Sequence, residues 1–207
     1  MTVELLAITL GAEKLIEEAG RTCYLSHDRA KEGSQAQFIL SLIRRGHESV
    51  LEHASATFRV KGASRAFTHQ LVRHRLCSFS QQSQRYVEET GFQSVIPPSI
   101  EANPEALRIF EEHLSRTQET YQRLRALGIP KEDARFVLPN AAVSEIVVSA
   151  NFRQWRHILK LRGHKSAQWE IRSFAVQVAR LLKEHAPACF SDFCIHETEI
   201  ETTDQRG

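Results

Sequence analysis

Residues 54–75 read ASATFRVKGASRAFTHQLVRHR, and the pattern changes period half-way. Ala54, Ala56, Phe58 and Val60 alternate with Thr57, Arg59 and Lys61, the two-residue period of a half-buried strand. Beyond Gly62, the Ser64 hydroxyl suits a helix N-cap. Phe67 and Leu71 then share the inner side of a helix running to about residue 76. A strand that passes straight into a helix, with no regular βαβ alternation elsewhere, sets the class as α+β.

The flanking chain fits that class. Phe38, Ile39, Leu42 and Ile43 form one helical face over residues 35–46, with Gly46 as the stop. Pro104 opens a long amphipathic helix in which Leu107, Phe110, Leu114, Thr117, Tyr121 and Leu124 recur at three–four spacing until Gly128. A short helix is expected in PKEDARFVL, and the β-branched run SEIVVSAN (144–151) reads as a strand. Asn151 then caps a helix ending near Gly163, and Ser166 another that lasts to Pro187. The expectation is a single domain over residues 1–194, with mixed helices around a small, mainly antiparallel sheet. Residues 195–207 follow as a polar, mobile tail.

The formal charge is +2 and the pI about 8.4, which does not demand nucleic acid as a partner. The chain has no apolar run of membrane-span length and no signal-peptide pattern, so a cytoplasmic location is expected. Cys23, Cys77, Cys189 and Cys194 are scattered, as suits a reducing compartment. His185, Cys189, Cys194 and His196 lie close in sequence, but not at the tight paired spacing of zinc sites. Packing at a helix end is the better reading, and no metal is expected.

Charge is distributed unevenly. With 25 acidic residues in 207, a 35-residue window holds about four by chance, yet His53–Val87 has none. It carries Arg59, Lys61, Arg65, Arg73, Arg75 and Arg85. Ile146–Trp169 is likewise acid-free and carries Arg153, Arg156, Lys160, Arg162 and Lys165. Either tertiary neighbours supply the missing carboxylates or an anionic ligand does. Arginine grips phosphate or a planar imide edge with a two-pronged donor fork, and the serines and glutamines of SFSQQSQ add neutral donors. Neither GxGxxG nor GxxxxGK[ST] occurs, so side chains rather than a glycine-rich backbone must hold the anion.

Arg73-His74-Arg75, seven residues and then Ser83 resembles the RHR-x7-S signature of flavin-dependent thymidylate synthases, and the likeness continues through Gln84-Arg85-Tyr86. GHESVLEH (46–53), DARFVLP (133–139) and NFRQWRHILKLRGHKSAQWEI (151–171) are three further blocks similar to that family. The resemblance implies a homotetramer with active sites between chains. It also implies FAD reduced by NADPH, 5,10-methylenetetrahydrofolate as one-carbon donor, and reductive methylation of dUMP to dTMP.

By position, Arg73, His74 and Arg75 would contact FAD, with Arg73 also near dUMP. Ser49 and His47 would lie at the flavin, and Asn151, Arg153 and His157 would form a second flavin segment. Gln70 and the run Gln81, Gln82, Ser83, Gln84 and Arg85 would hold dUMP, with Ser83 and Arg85 toward its phosphate, Gln81 also near the flavin and Arg135 completing the nucleotide site. Arg162 would activate dUMP, its fixed cation stabilising the ionised imide. Gln81 stands where some members carry Glu, and His157 where Asn can occur. Cys77 reads as a packed thiol rather than a nucleophile. The competing readings are a nucleic-acid binder, which predicts steep salt dependence and no flavin, and an FAD oxidoreductase acting on another small substrate.

Overall fold

In the computed structural model, which describes residues 1–202, the chain begins with strand β1 (Thr2–Ile8), helix α1 (Ala12–Thr22) and helix α2 (Gln35–Arg44). A 3-10 segment (Glu48–His53) leads into β2 (Ser55–Ser64), α3 (Arg65–Leu71) and β3 (Ser78–Gln81). Next come α4 (Pro98–Glu101), α5 (Pro104–Ala126), α6 (Lys131–Ala134) and β4 (Val143–Asn151). The chain continues through α7 (Phe152–Arg162), α8 (Trp169–His185), α9 (Pro187–Phe190) and the hairpin β5 (Phe193–Ile195) and β6 (Ile200–Thr202). The main sheet has the order β1-β2-β4-β3, and β5 pairs antiparallel with β6. The fold is α+β. Among the described residues, no helix is long and apolar enough to cross a membrane.

The alternation read in residues 54–62 is real. Ala56, Phe58 and Val60 are buried along β2, and Ser144, Ile146, Val148 and Ala150 are buried along β4. Ser64 caps α3 as expected, its Oγ accepting the Phe67 N–H at 3.0 Å. The helix nevertheless ends at Leu71, five residues before the expected 76. Its inner face stops there, because Leu71 is fully buried while Val72 and Arg73 are exposed. Ser166 is not the cap of α8. Its hydroxyl bonds His164 Nδ1 at 2.8 Å, and Gln168 Oε1 accepts the N–H groups of Glu170 and Ile171 instead.

The described chain packs as two compact units, and β2 and β4 each contribute residues to both. One unit comprises residues 1–2, 60–71 and 80–146. In it α5 lays Thr117 and Tyr121 into the interior, and the Tyr121 hydroxyl accepts the Glu89 N–H at 3.3 Å. The other comprises, among the described residues, 3–59, 72–79 and 147–202. Its core centres on Trp155, which meets Phe58 edge-on at 4.9 Å and donates its indole N–H to Ala56 O at 3.0 Å. Burying such side chains contributes on the order of 1.5–3 kcal/mol each.

The end of the chain departs from the polar-tail reading. Residues 195–202 belong to the β5–β6 hairpin, and Ile200, paired with Ile195, is buried against Gly163. Residues 203–207 lie outside the described residues.

Candidate functional site

Asn151 ends β4 and caps α7, its Oδ1 accepting the Gln154 N–H at 2.8 Å. This cap sets where α7 starts and hence where Arg153, His157 and Arg162 project. At the far end of α7, Arg162 Nε donates to Nε2 of His74 at 3.0 Å. A cationic donor requires a lone pair on that nitrogen, so His74 is neutral. Burial, then the charge of Arg162 and then His157, pushes the His74 imidazolium down to about 4. The His157 ring stands edge-on to it with centroids 5.9 Å apart. Among the described residues, Arg162 has no carboxylate partner, and its two Nη groups make no hydrogen bond.

Beside this pair, Asn151, Arg153 and His157 line a cleft of about 640 Å3. Leu76 reaches its wall from the RHR segment, and Gln154, Lys160, Glu48 and Glu52 complete it. Arg153 Nη1 donates to Glu52 Oε1 at 2.5 Å. Glu48 is held by the fully buried Arg156, which also takes Asp192 at 2.7 Å, so Arg156 is a structural cation. Cys77 hydrogen-bonds Gln154, and burial pushes its thiol up to about 11, so it carries no thiolate at neutral pH.

In the other unit, Gln84 and Arg135 line a cleft of about 390 Å3 with Arg65, His69 and Asn140. Gln84 is only 8% exposed, yet its Nε2 has no partner among the described residues. Burial and the neighbouring Arg135 lower the Arg65 pKa, partly countered by Glu89. A doubly charged oxyanion would relieve both, since it accepts an amide N–H and neutralises facing arginines.

The other residues singled out from the sequence are dispersed. Gln81 Nε2 donates to Thr68 Oγ1 at 3.0 Å and Ser144 Oγ at 3.2 Å. Gln82 reaches Glu89 at 3.3 Å, and Gln70 Nε2 lies 3.5 Å from Ala66 O. Ser83 Oγ accepts the Arg85 N–H at 3.3 Å, while the Arg85 side chain pairs with Glu132 at 3.5 Å. His47 lies at a separate cleft with Arg45 and the exposed Tyr24. Ser49 is exposed on the 3-10 turn, and Arg73 and Arg75 are exposed without a carboxylate partner among the described residues.

The two explanations of the acid-free windows therefore divide the cations between them. Arg59, Arg85, Arg153, Arg156 and Lys160 find acids in the tertiary structure. Among the described residues, Arg73, Arg75 and Arg162 do not. Arg65, His69, Glu48 and Glu52 line the clefts but were not singled out as site residues in the sequence. For Arg65 the one signal was its place in the first acid-free window.

Arginines without a carboxylate partner among the described residues beside a neutral histidine, and a second cleft lined by Arg65 and Arg135, have the chemistry of anion-binding sites. Residues 4–188 match the family model described as thymidylate synthase complementing protein, and the chain belongs to that family. It is 44% identical over 200 residues to the flavin-dependent thymidylate synthase of Geobacter sulfurreducens, covering 93% of this chain and 86% of that protein. It is 42% identical over 214 residues to the flavin-dependent thymidylate synthase of Mycolicibacterium vanbaalenii, with the same coverage. Its structure resembles that of the UMP/dUMP methylase PolB from Streptomyces cacaoi bound with 5-Br dUMP. The TM-score is 0.80 at 28% identity, over 92% of this chain and 93% of that one.

Proposed function

We propose that this protein is a flavin-dependent thymidylate synthase that converts dUMP to dTMP. The family match over residues 4–188 and relatives that are 42–44% identical over nearly the whole chain support the activity. Methylenetetrahydrofolate supplies the methylene carbon. NADPH, through FAD, supplies the two electrons that take it to the methyl level, and tetrahydrofolate and NADP leave. The protein works in the cytoplasm as a homotetramer with sites at subunit interfaces, and residues 1–194 carry the activity.

The cleft beside Arg162 suits a flavin dinucleotide in its donor set. It offers Arg153 and Lys160, each paired with a carboxylate of the same wall (Glu52 and Glu48), the Gln154 amide and the His157 ring. Exposed, unpaired Arg73 and Arg75 sit on the segment that brings Leu76 to its wall. Asn151, Arg153, His157, His47, Ser49, Gln81 and the RHR residues would hold the cofactor, which supplies a two-electron carrier between NADPH and the nucleotide. Arg65, Gln84 and Arg135 suit the dUMP phosphate, with Gln70, Gln81, Gln82, Ser83 and Arg85 completing the nucleotide site.

Arg162 carries the mechanism. Its free Nη pair matches an ionised uracil imide, which presents N3 and O4 side by side as acceptors. Loss of the N3 proton to solvent leaves an anion shared by N3, O2 and O4, which makes the adjoining C5=C6 bond more electron-rich, and a fixed cation stabilises it where its charge develops. The raised electron density at C5 favours bond formation to the methylene carbon. The observation that carries this role is that Arg162 has no carboxylate partner among the described residues. An Arg162→Ala variant that retains FAD should lose at least ~100-fold in kcat for NADPH-dependent dTMP formation. Unchanged turnover would remove Arg162 from the mechanism.

A further inference from the structure

We infer that His74 is a positioning residue for Arg162: its unprotonated Nε2 anchors the Arg162 Nε–H and aims both Nη groups at the substrate. The inference rests on the reading of Arg162 as the group that activates dUMP.

The geometry is specific. A guanidinium has one Nε–H and two Nη groups, and only the Nη1–Nη2 edge or the Nε–Nη edge presents two parallel donors. Tying Nε to His74 at 3.0 Å removes the second choice, so one bidentate edge remains. Arg162 has no other partner among the described residues, so without this bond its long side chain would sample several rotamers. His74 is itself 4% exposed and follows Leu71, the buried last residue of α3, by three positions. The groups facing His74 from α7 are Arg162 and His157. Arg73 and Arg75 flank it on its own segment. Burial and the Arg162 charge both disfavour protonation, so His74 remains an acceptor throughout the neutral range.

A purely cofactor-contacting or structural histidine makes different predictions from an anchor. His74→Leu keeps approximate bulk and removes the acceptor. His74→Gln restores an acceptor oxygen near the position of Nε2. With FAD content matched by visible absorbance and melting temperature checked, His74→Leu should lower kcat roughly 10-fold or more, and His74→Gln should recover to within about 3-fold of the parent. Equal losses in the two variants, or an undiminished kcat in flavin-loaded His74→Leu, would overturn the anchor.

A measurement on the unmutated holoenzyme covers the case in which His74→Leu loses flavin. In 15N-arginine-labelled protein, the Nε–H signal that disappears in Arg162→Lys should exchange slowly with water. Exchange as fast as that of the exposed arginines would overturn the inference. Arg162→Ala separates the two failures. If that variant turns over normally, the role of Arg162 is wrong. If it is inactive while both His74 variants match the parent, only the anchor is wrong.

Discussion

The carbonyl of Gly163 accepts the N–H of Ile200 at 2.8 Å, and a Cβ placed on Gly163 would lie 2.7 Å from the Ile200 Cδ1. The C-terminal hairpin thus closes over the residue next to Arg162. Gly163→Ala should destabilise the protein by about 1–3 kcal/mol, as overpacking does. It should also lower kcat by shifting the end of α7. Thermal melting and turnover check this, and a melting temperature equal to the parent's would contradict the packing.

His74 links stability to pH. Its folded pKa, about 4, lies below the ordinary 6.5, so between those values the unfolded chain binds a proton that the folded chain refuses. The contribution is therefore fully present above 6.5 and is lost as pH falls toward 4. His74→Gln should show a shallower fall in melting temperature across that window. Parallel curves for parent and variant would count against a neutral, buried His74.

Cys77 should be dispensable. With its thiol pushed up to about 11, less than about one part in a thousand is thiolate at pH 8, too little for a nucleophile. Cys77→Ala should turn over within about 2-fold of the parent, since it loses only a small packed group. A loss of several orders of magnitude with flavin still bound would reinstate covalent chemistry.

Arg135 should act on substrate and not on cofactor. Removing one charge-assisted contact costs about 1.5–3 kcal/mol, so Arg135→Ala should raise the KM for dUMP roughly 10- to 100-fold while FAD content stays unchanged. The Gln84 amide, left without a partner, makes the same cleft sensitive to Gln84→Leu in the same direction. Titrations that show unaltered dUMP binding would move the phosphate elsewhere.

Much of the fold was legible where a period was clean. The alternation in β2 and the β-branched run of β4 translate directly into buried faces, whereas of the three–four face of α5 only Thr117 and Tyr121 are buried and the rest is half-buried. β1 hid because Leu6 is exposed and neither of its faces is fully buried, so no two-residue pattern stood out. β3 is four residues of SFSQ with no buried position. Cap chemistry was readable at Ser64 and Asn151 but not at Gln168, because glutamine is an uncommon cap and Ser166 lay two residues away with a preferred side chain.

The candidate site was legible as residue types in acid-free windows, but not as pairs. Nothing in the sequence joins His74 to Arg162 across 88 positions, or tells Arg156, fully buried against Asp192 and Glu48, from Arg162, which has no carboxylate partner among the described residues. That distinction depends on which side of α7 each guanidinium leaves.

The most direct test is turnover. Purified protein loaded with FAD and supplied with dUMP, methylenetetrahydrofolate and NADPH should form dTMP, with none formed when any one of the three is omitted. A protein that binds FAD and oxidises NADPH yet yields no dTMP from the complete mixture would contradict the account.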